Sequence, residues 1–145
     1  MFELLTDDAT LPVRATKGSV GYDLVATSYE WNESKTKIEY TTGVALKGVP
    51  EGFFAAVFPR SSISETDLRL ANSVGVIDPD FKDGIRLVFD VPLSAAMVVS
   101  PGNCRIYGVN DRIAQIVFLP FLVDDVVVPT EEREGGFGST GKKKK

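Results

Sequence analysis

The sequence predicts an all-β fold, a jelly-roll-like β-sandwich built from many short strands. Three observations carry this. Apolar runs of strand length recur along the chain, separated by Gly and Pro turns. Ile38, Tyr40, Thr42, Val44 and Leu46 alternate with more polar residues, and so do Ile85, Leu87, Phe89 and Val91. No segment of helix length holds a 3.6-residue period. A chain of 145 residues is one domain long and can bury one real core.

Taken in order, Phe2 to Leu5 is a short strand candidate, and Leu11 to Lys17 reads as a loop with strand fragments. Gly18 to Leu24 sets two glycines beside Asp23 and runs on into apolar Val25-Ala26. Ser28 to Ser34 is polar and reads as a loop. Lys37 to Leu46 reads as one half-buried strand, Val49 to Gly52 as a turn, and Phe53 to Phe58 as a dense apolar strand that Pro59 ends. Ser62 to Leu68 could form one short helical turn, with Ser or Thr available as a cap. Leu70 to Ile77 leads into the break at Asp78-Pro79-Asp80. Ile85 to Val91 is a further strand, and Ala95 to Val99 a short apolar piece before Pro101-Gly102. Arg105 to Val109 reads as a strand, Ile113 to Leu119 as a strand buried on both faces, and Val126 to Val128 as the last one.

The expected domain division is a β core over residues 1–130 and an arm over 131–145. The arm holds the charged run from Glu131, then Gly135-Gly-Phe-Gly-Ser-Thr-Gly141, then four lysines. Nothing in it can build a core, so it reads as flexible.

Composition removes several chemistries. There is no histidine, so Ser-His-Asp and Cys-His triads are excluded, as are imidazole zinc sites. The single cysteine, Cys104, rules out an intrachain disulfide and suits a reducing compartment. A net charge of −4 gives no global basic field for nucleic acid. No apolar stretch has the length of a bilayer span, and no basic-then-apolar leader stands at the N-terminus. The expectation is a cytoplasmic protein, or a nuclear one, or one made in an infected host cell.

The stretch from Asn72 to Phe81 carries the strongest chemical signal. Gly75-Val76-Ile77 is a strand-like run, broken by Asp78-Pro79-Asp80 and followed by the ring of Phe81. A carboxylate at a strand end can accept a proton from water. The Asn72 amide offers donors and an acceptor, which suit a pyrimidine edge. The plain alternative is a β-turn between strands, for which Asp and Pro are favoured residues. Four further features could bind phosphate: Arg60 with Ser61 and Ser62, Asp111-Arg112 ahead of Gln115, Asp23 among glycines, and Gly138-Ser139-Thr140 in the arm. Each has a bland counterpart, a solvated charge or a linker. Asp23, Asp78 and Asp80 could hold Mg²⁺ directly or through its waters.

Five stretches in order resemble the motifs of the trimeric deoxyuridine triphosphatases (dUTPases). They are Gly21-Tyr-Asp-Leu24, Pro59-Arg-Ser-Ser62, Gly75-Val-Ile-Asp-Pro-Asp-Phe81, Asp111-Arg-Ile-Ala-Gln115 and Gly135-Gly-Phe-Gly-Ser-Thr-Gly141. The resemblance implies a jelly-roll subunit in a homotrimer whose active sites are shared between chains. It implies hydrolysis of dUTP to dUMP and pyrophosphate by Mg²⁺-assisted attack of water on the α-phosphate. That reaction limits uracil incorporation into DNA and supplies dUMP for thymidylate synthesis. By the same resemblance, Asp78 is the base that activates water. Asn72 and the backbone of Gly75, Val76 and Ile77 read uracil, and Phe81 lies against the deoxyribose. Arg60, Ser61, Ser62 and Gln115 contact phosphates, and Asp23 faces the water shell of Mg²⁺ with no direct protein ligand to the metal. From the arm, Phe137 stacks on uracil, while Arg133, Gly138, Ser139 and Thr140 engage the triphosphate. The chain departs from the family pattern at Ser62 and Asn110, where Gly is usual, and at Phe81, where Tyr is usual. Arg133 lies four residues before Phe137 rather than five. Two other readings fit the same fold: a dCTP deaminase, and a non-catalytic nucleotide-binding or regulatory trimer.

Overall fold

A computed structural model describes residues 1–92 and 104–124 of the chain. Ten strands are present among them: β1 Phe2–Leu4, β2 Tyr22–Val25, β3 Ser28–Trp31, β4 Lys37–Thr41, β5 Val44–Leu46, β6 Phe53–Phe58, β7 Arg69–Leu70, β8 Gly75–Ile77, β9 Arg86–Asp90 and β10 Arg112–Pro120. The only helical element among the described residues is a 3-10 turn, Ser61–Glu65. The expected strand at Val126 to Val128, the piece at Ala95 to Val99 and the whole arm lie outside the described residues.

Two four-stranded sheets and a small third one form the fold. The first sheet runs β2-β10-β6-β8, the second β3-β4-β9-β7, and β1 pairs with β5. Every pairing is antiparallel. Both larger sheets feed one core: Leu24, Val57, Ile113 and Ile116 from the first pack with Ile38, Tyr40, Leu70, Leu87 and Phe89 from the second. This is the sandwich that the alternation predicts. Buried polar groups inside it are paired. The Tyr40 hydroxyl donates to the Tyr107 carbonyl at 2.9 Å, and the Thr42 hydroxyl donates to the Ile85 carbonyl at 2.8 Å.

The structure departs from the sequence expectation in four places, each for a local reason. Ser28–Trp31 is a strand, not a loop: among the described residues it is the edge of its sheet, paired with β4 alone, so it needs little apolar signal. The alternating run from Lys37 to Leu46 is two strands rather than one. Gly43 turns it at φ +64°, a left-handed conformation that glycine adopts without penalty, and Val44–Leu46 then joins β1. A Cβ at Gly43 would also stand 2.3 Å from the Thr6 hydroxyl. All five alternating residues are buried, but Ala45 is buried as well, so the alternation itself ends at the break. Arg105 to Val109 is not a strand. Its backbone is satisfied elsewhere: the Arg105 N–H donates to the Asp67 carboxylate, and the Arg105 and Tyr107 carbonyls accept from the Asp67 N–H and the Tyr40 hydroxyl. The helical turn begins one residue early, at Ser61, with Arg60 at its N-cap and no side-chain cap.

Candidate active site

The register of the first sheet places the functional side chains. Asp23 is opposite Gln115, and Gln115 is opposite Phe58, so the three form one row across β2, β10 and β6. Leu24, Val57 and Ile116 point into the core, so by the period-2 rule this row lies on the outer face of the sheet. Arg60 follows β6 directly at the same end.

Asp23 is the centre of the row, at 8% exposure. Its Oδ1 accepts from Arg60 Nε at 2.8 Å, and its Oδ2 accepts from Arg112 Nη1 at 3.2 Å. One carboxylate between two guanidinium groups leaves a net positive charge, the condition for binding an anion. Arg60 Nη1 also donates to the Arg112 carbonyl at 3.2 Å and to Ser62 Oγ at 3.4 Å. Among the described residues, Arg60 Nη2 has no hydrogen-bond partner, so its two N–H donors remain for a ligand.

Arg112 reaches this face through a bulge. Arg112 pairs with Val25 and Gln115 with Asp23, yet they are three residues apart on β10, with an irregularity between Arg112 and Ala114. In a regular strand, residues three apart point to opposite faces. The extra residue turns Arg112 onto the face of Asp23.

Gln115 is held in one orientation. Its Nε2 donates to the Pro59 carbonyl at 3.1 Å. Gly21 lies against it, and a Cβ there would stand 2.3 Å from Gln115 Oε1 and 2.9 Å from Gln115 Cβ. The amide can lie flat against that backbone only because Gly21 has no side chain. Behind Asp111, Asn110 adopts φ +71°, the left-handed turn that Asn tolerates, and Asp111 Oδ2 accepts from the Gly108 N–H at 2.6 Å.

The family model for dUTPase matches residues 7–141 of this chain. The chain belongs to the dUTPase family. It is 37% identical to a deoxyuridine 5'-triphosphate nucleotidohydrolase of Desulfitobacterium hafniense, across 90% of this chain and 87% of the relative. It is 32% identical to the enzyme of the same name from Hydrogenobaculum sp., across 96% and 95%. Among solved structures, the fold matches that of a dUTPase variant from phage phi11 of S. aureus at TM-score 0.70 and 22% identity, covering 90% and 96% of the two chains. That structure is described with a structural Mg(II) ion. A dUTPase variant from Staphylococcus bacteriophage 80alpha, with dUpNHpp, matches at TM-score 0.66 and 23% identity over 97% of each chain.

The third of the dUTPase-like stretches begins on β8, the edge strand of the same sheet. Ser73 at φ +62° turns the chain from Asn72 into the strand, and a Cβ on Gly75 would lie 3.3 Å from Asn72 Nδ2. The Asn72 amide therefore rests over the Gly75 backbone at the strand edge. Gly75 pairs with Val57 and Ile77 with Ala55, and Val76 between them is 65% exposed. The Phe81 N–H donates to the Asp78 carbonyl at 3.1 Å, closing a β-turn with Pro79 in its second place. Phe81 is buried to 8% exposure.

The sheet does not bring all these groups together. Continuing the β6–β8 register puts Asp78 across from Phe54, four residues from Phe58 and so about 13 Å along the strand from the Asp23 row. β8 is also two strands from β10, about 10 Å across the sheet. Within one chain, Asp78 and Phe81 stand apart from Arg60 and Gln115. Arg133, Phe137, Gly138, Ser139 and Thr140 lie outside the described residues.

Asp23, expected to face the water shell of Mg²⁺, accepts from one arginine at each oxygen, which orients both guanidinium groups and leaves each oxygen a second acceptor site. Sequence reasoning picked out Arg112 only as a neighbour of Asp111, and it passed over Tyr107. The bulge and the packing that make these two matter leave no local signature.

Proposed function

We propose that this protein hydrolyses dUTP to dUMP and pyrophosphate. The observation that carries the reading is the Asp23–Arg60–Arg112 cluster, in one row with Gln115 on the face of the sheet whose edge strand is β8. It is a preset cationic cluster, suited to receive a triphosphate.

In this reading the uracil lies along the edge of β8. The backbone of that edge, open among the described residues, and the Asn72 amide read its donors and acceptors. Phe81 closes the space beside C2′ of the sugar, where a ribose hydroxyl would be buried without a partner. Asp78 accepts a proton from water as the water oxygen attacks the α-phosphorus. The bond to the bridging oxygen then breaks, and its electron pair leaves with pyrophosphate. Arg60, Ser61, Ser62 and Gln115 hold phosphate oxygens as their charge grows. Phe137 covers the base from the arm, and Arg133, Gly138, Ser139 and Thr140 reach the phosphates, excluding water as the arm closes.

Mg²⁺ would enter with the triphosphate, held by phosphate oxygens and water, where it would neutralise negative charge. The two halves of the site lie apart within one chain, which supports a homotrimer in which each site takes its groups from different copies. The outer face around Ala56, Val76 and Val117 is apolar and suits contact with another copy. Light scattering tests this: a trimer has three times the 15.7 kDa chain mass.

The decisive experiment measures pyrophosphate release from dUTP, dCTP, dTTP and UTP with Mg²⁺. Turnover of dUTP alone is the expected result. Ammonia release from dCTP would point to the deaminase, and tight dUTP binding without turnover to a regulatory trimer.

A further inference from the structure

We propose that Tyr107 is a positioning residue for the phosphate end of the site, acting through Ser62 on the guanidinium of Arg60. The inference rests on the reading of Arg60 as a phosphate contact.

Tyr107 is held from behind. It is 6% exposed, its carbonyl accepts from the Tyr40 hydroxyl at 2.9 Å, and its ring sits edge-on to Tyr40 and Phe89, with centroids 6.4 and 6.2 Å away. Its phenol is the one polar end of this aromatic group to reach the site: the oxygen lies 3.3 Å from Ser62 Oγ. Burial pushes the phenol pKa up, so the group stays protonated at neutral pH. Ser62 Oγ in turn accepts from Arg60 Nη1.

The physical argument concerns how many points fix a plane. The Asp23 contact anchors Nε alone, and a planar guanidinium held at one atom can still tilt. The bonds from Nη1 to the Arg112 carbonyl and to Ser62 Oγ remove that freedom. A serine hydroxyl is itself a free rotor, so it anchors an arginine only when a second partner sets its direction. Tyr107 is that partner, and its own position is fixed by the core. The tilt of Arg60, and with it the aim of Nη2, is thereby tied to the aromatic packing between the sheets. Both links are long, at 3.3 and 3.4 Å, so the effect is modest in the free chain. Hydrogen bonds of this kind commonly tighten once the ligand is in place.

The test compares Tyr107→Phe, Ser62→Ala and the double variant of the full chain, using steady-state kinetics with dUTP and competitive inhibition by deoxyuridine. Tyr107→Phe keeps the ring, and Ser62 is half-buried within the 3-10 turn Ser61–Glu65 with its hydroxyl capping nothing, so both variants fold. Thermal melting checks this. Each single change raises the KM for dUTP roughly threefold to tenfold, the worth of a net hydrogen bond, and Tyr107→Phe, which touches no substrate atom, holds kcat within about twofold. The deoxyuridine inhibition constant does not move, because that ligand has no phosphate. The double variant is no worse than the poorer single one, because both act on one relay. An unchanged KM in Tyr107→Phe, additive effects in the double variant, or an equal loss for deoxyuridine would overturn the proposal. If the unmutated protein does not hydrolyse dUTP, the parent reading fails first, before any variant is compared.

Discussion

The Asp23 cluster and the β8 edge are parts of the same sheet, yet they prepare for a ligand in opposite ways. At Asp23, side chains have already met one another. Two arginines, a carboxylate and a carboxamide are locked by ion pairs, by the Pro59 carbonyl and by the bare backbone of Gly21. At β8, main chain is left open along an edge, with Val76 exposed and the next strand position empty among the described residues. The difference follows from the ligand chemistry each end would take. A polyphosphate is recognised by charge, and charged groups are costly to bring together at the moment of binding, so they are assembled in advance. A flat heterocycle is recognised by hydrogen bonds of strand type, which an unpaired edge offers with no assembly.

The largest effect is expected where the β8 side meets the chemistry. Asp78→Asn is isosteric and removes only the base, so turnover should fall by roughly 10²–10⁴ while dUTP binding is kept. A burst and steady-state assay with equilibrium binding alongside checks it. More than a tenth of the original turnover would remove Asp78 from the role of base.

The cluster should break differently. Asp23→Asn leaves Arg60 and Arg112 facing each other without their carboxylate. We expect binding of dUTP to weaken about tenfold or more and stability to fall by about 1–3 kcal/mol, below the cost at a fully buried pair because Arg112 is half exposed. Deoxyuridine binding should be unchanged. Calorimetric titration with the two ligands separates the ends of the site, and equal losses for both would merge them.

A smaller effect sharpens the point about close approach. Gly21→Ala forces the Gln115 amide off its seat, which breaks its bond to the Pro59 carbonyl. We expect a loss of about threefold to tenfold in kcat/KM, from one displaced phosphate contact. A crystal structure of the variant with Gln115 unmoved would contradict this.

The smallest effect is in pH. Burial holds the Tyr40 hydroxyl far above the ordinary tyrosine pKa, and Tyr107 is raised for the same reason. A folded pKa above the unfolded one gives stability that is fully present below about pH 10 and is lost as pH climbs from there toward the folded value. Denaturant midpoints should therefore fall above pH 10 in the parent protein. Tyr40→Phe should start slightly less stable at neutral pH, having lost its bond to the Tyr107 carbonyl, and then fall less steeply. Equal slopes would mean that Tyr40 does not titrate with unfolding.

Much of this was legible in the chain because strand burial is a local signal. Ile38, Tyr40, Thr42, Val44 and Leu46 announce a buried face by their spacing, and all five are buried. The motif residues could be picked out in the same way, since each motif is a short contiguous string. Asn110 stands where the resembled pattern has Gly, and it adopts a left-handed conformation that Asn tolerates. Side-chain periodicity says which face is apolar and nothing about where a strand stops, so the break at Gly43 was missed, as was the polar edge strand β3. Asp23 meets Arg60 across 37 positions and Arg112 across 89. Arg112 arrives on that face only because one extra residue bulges from β10, and Tyr107 faces Ser62 only because two sheets close around it. Residue types and their spacing settle which chemistry a chain can attempt. The partners of a charge depend on sheet register and on long-range packing, which no stretch of neighbouring residues encodes.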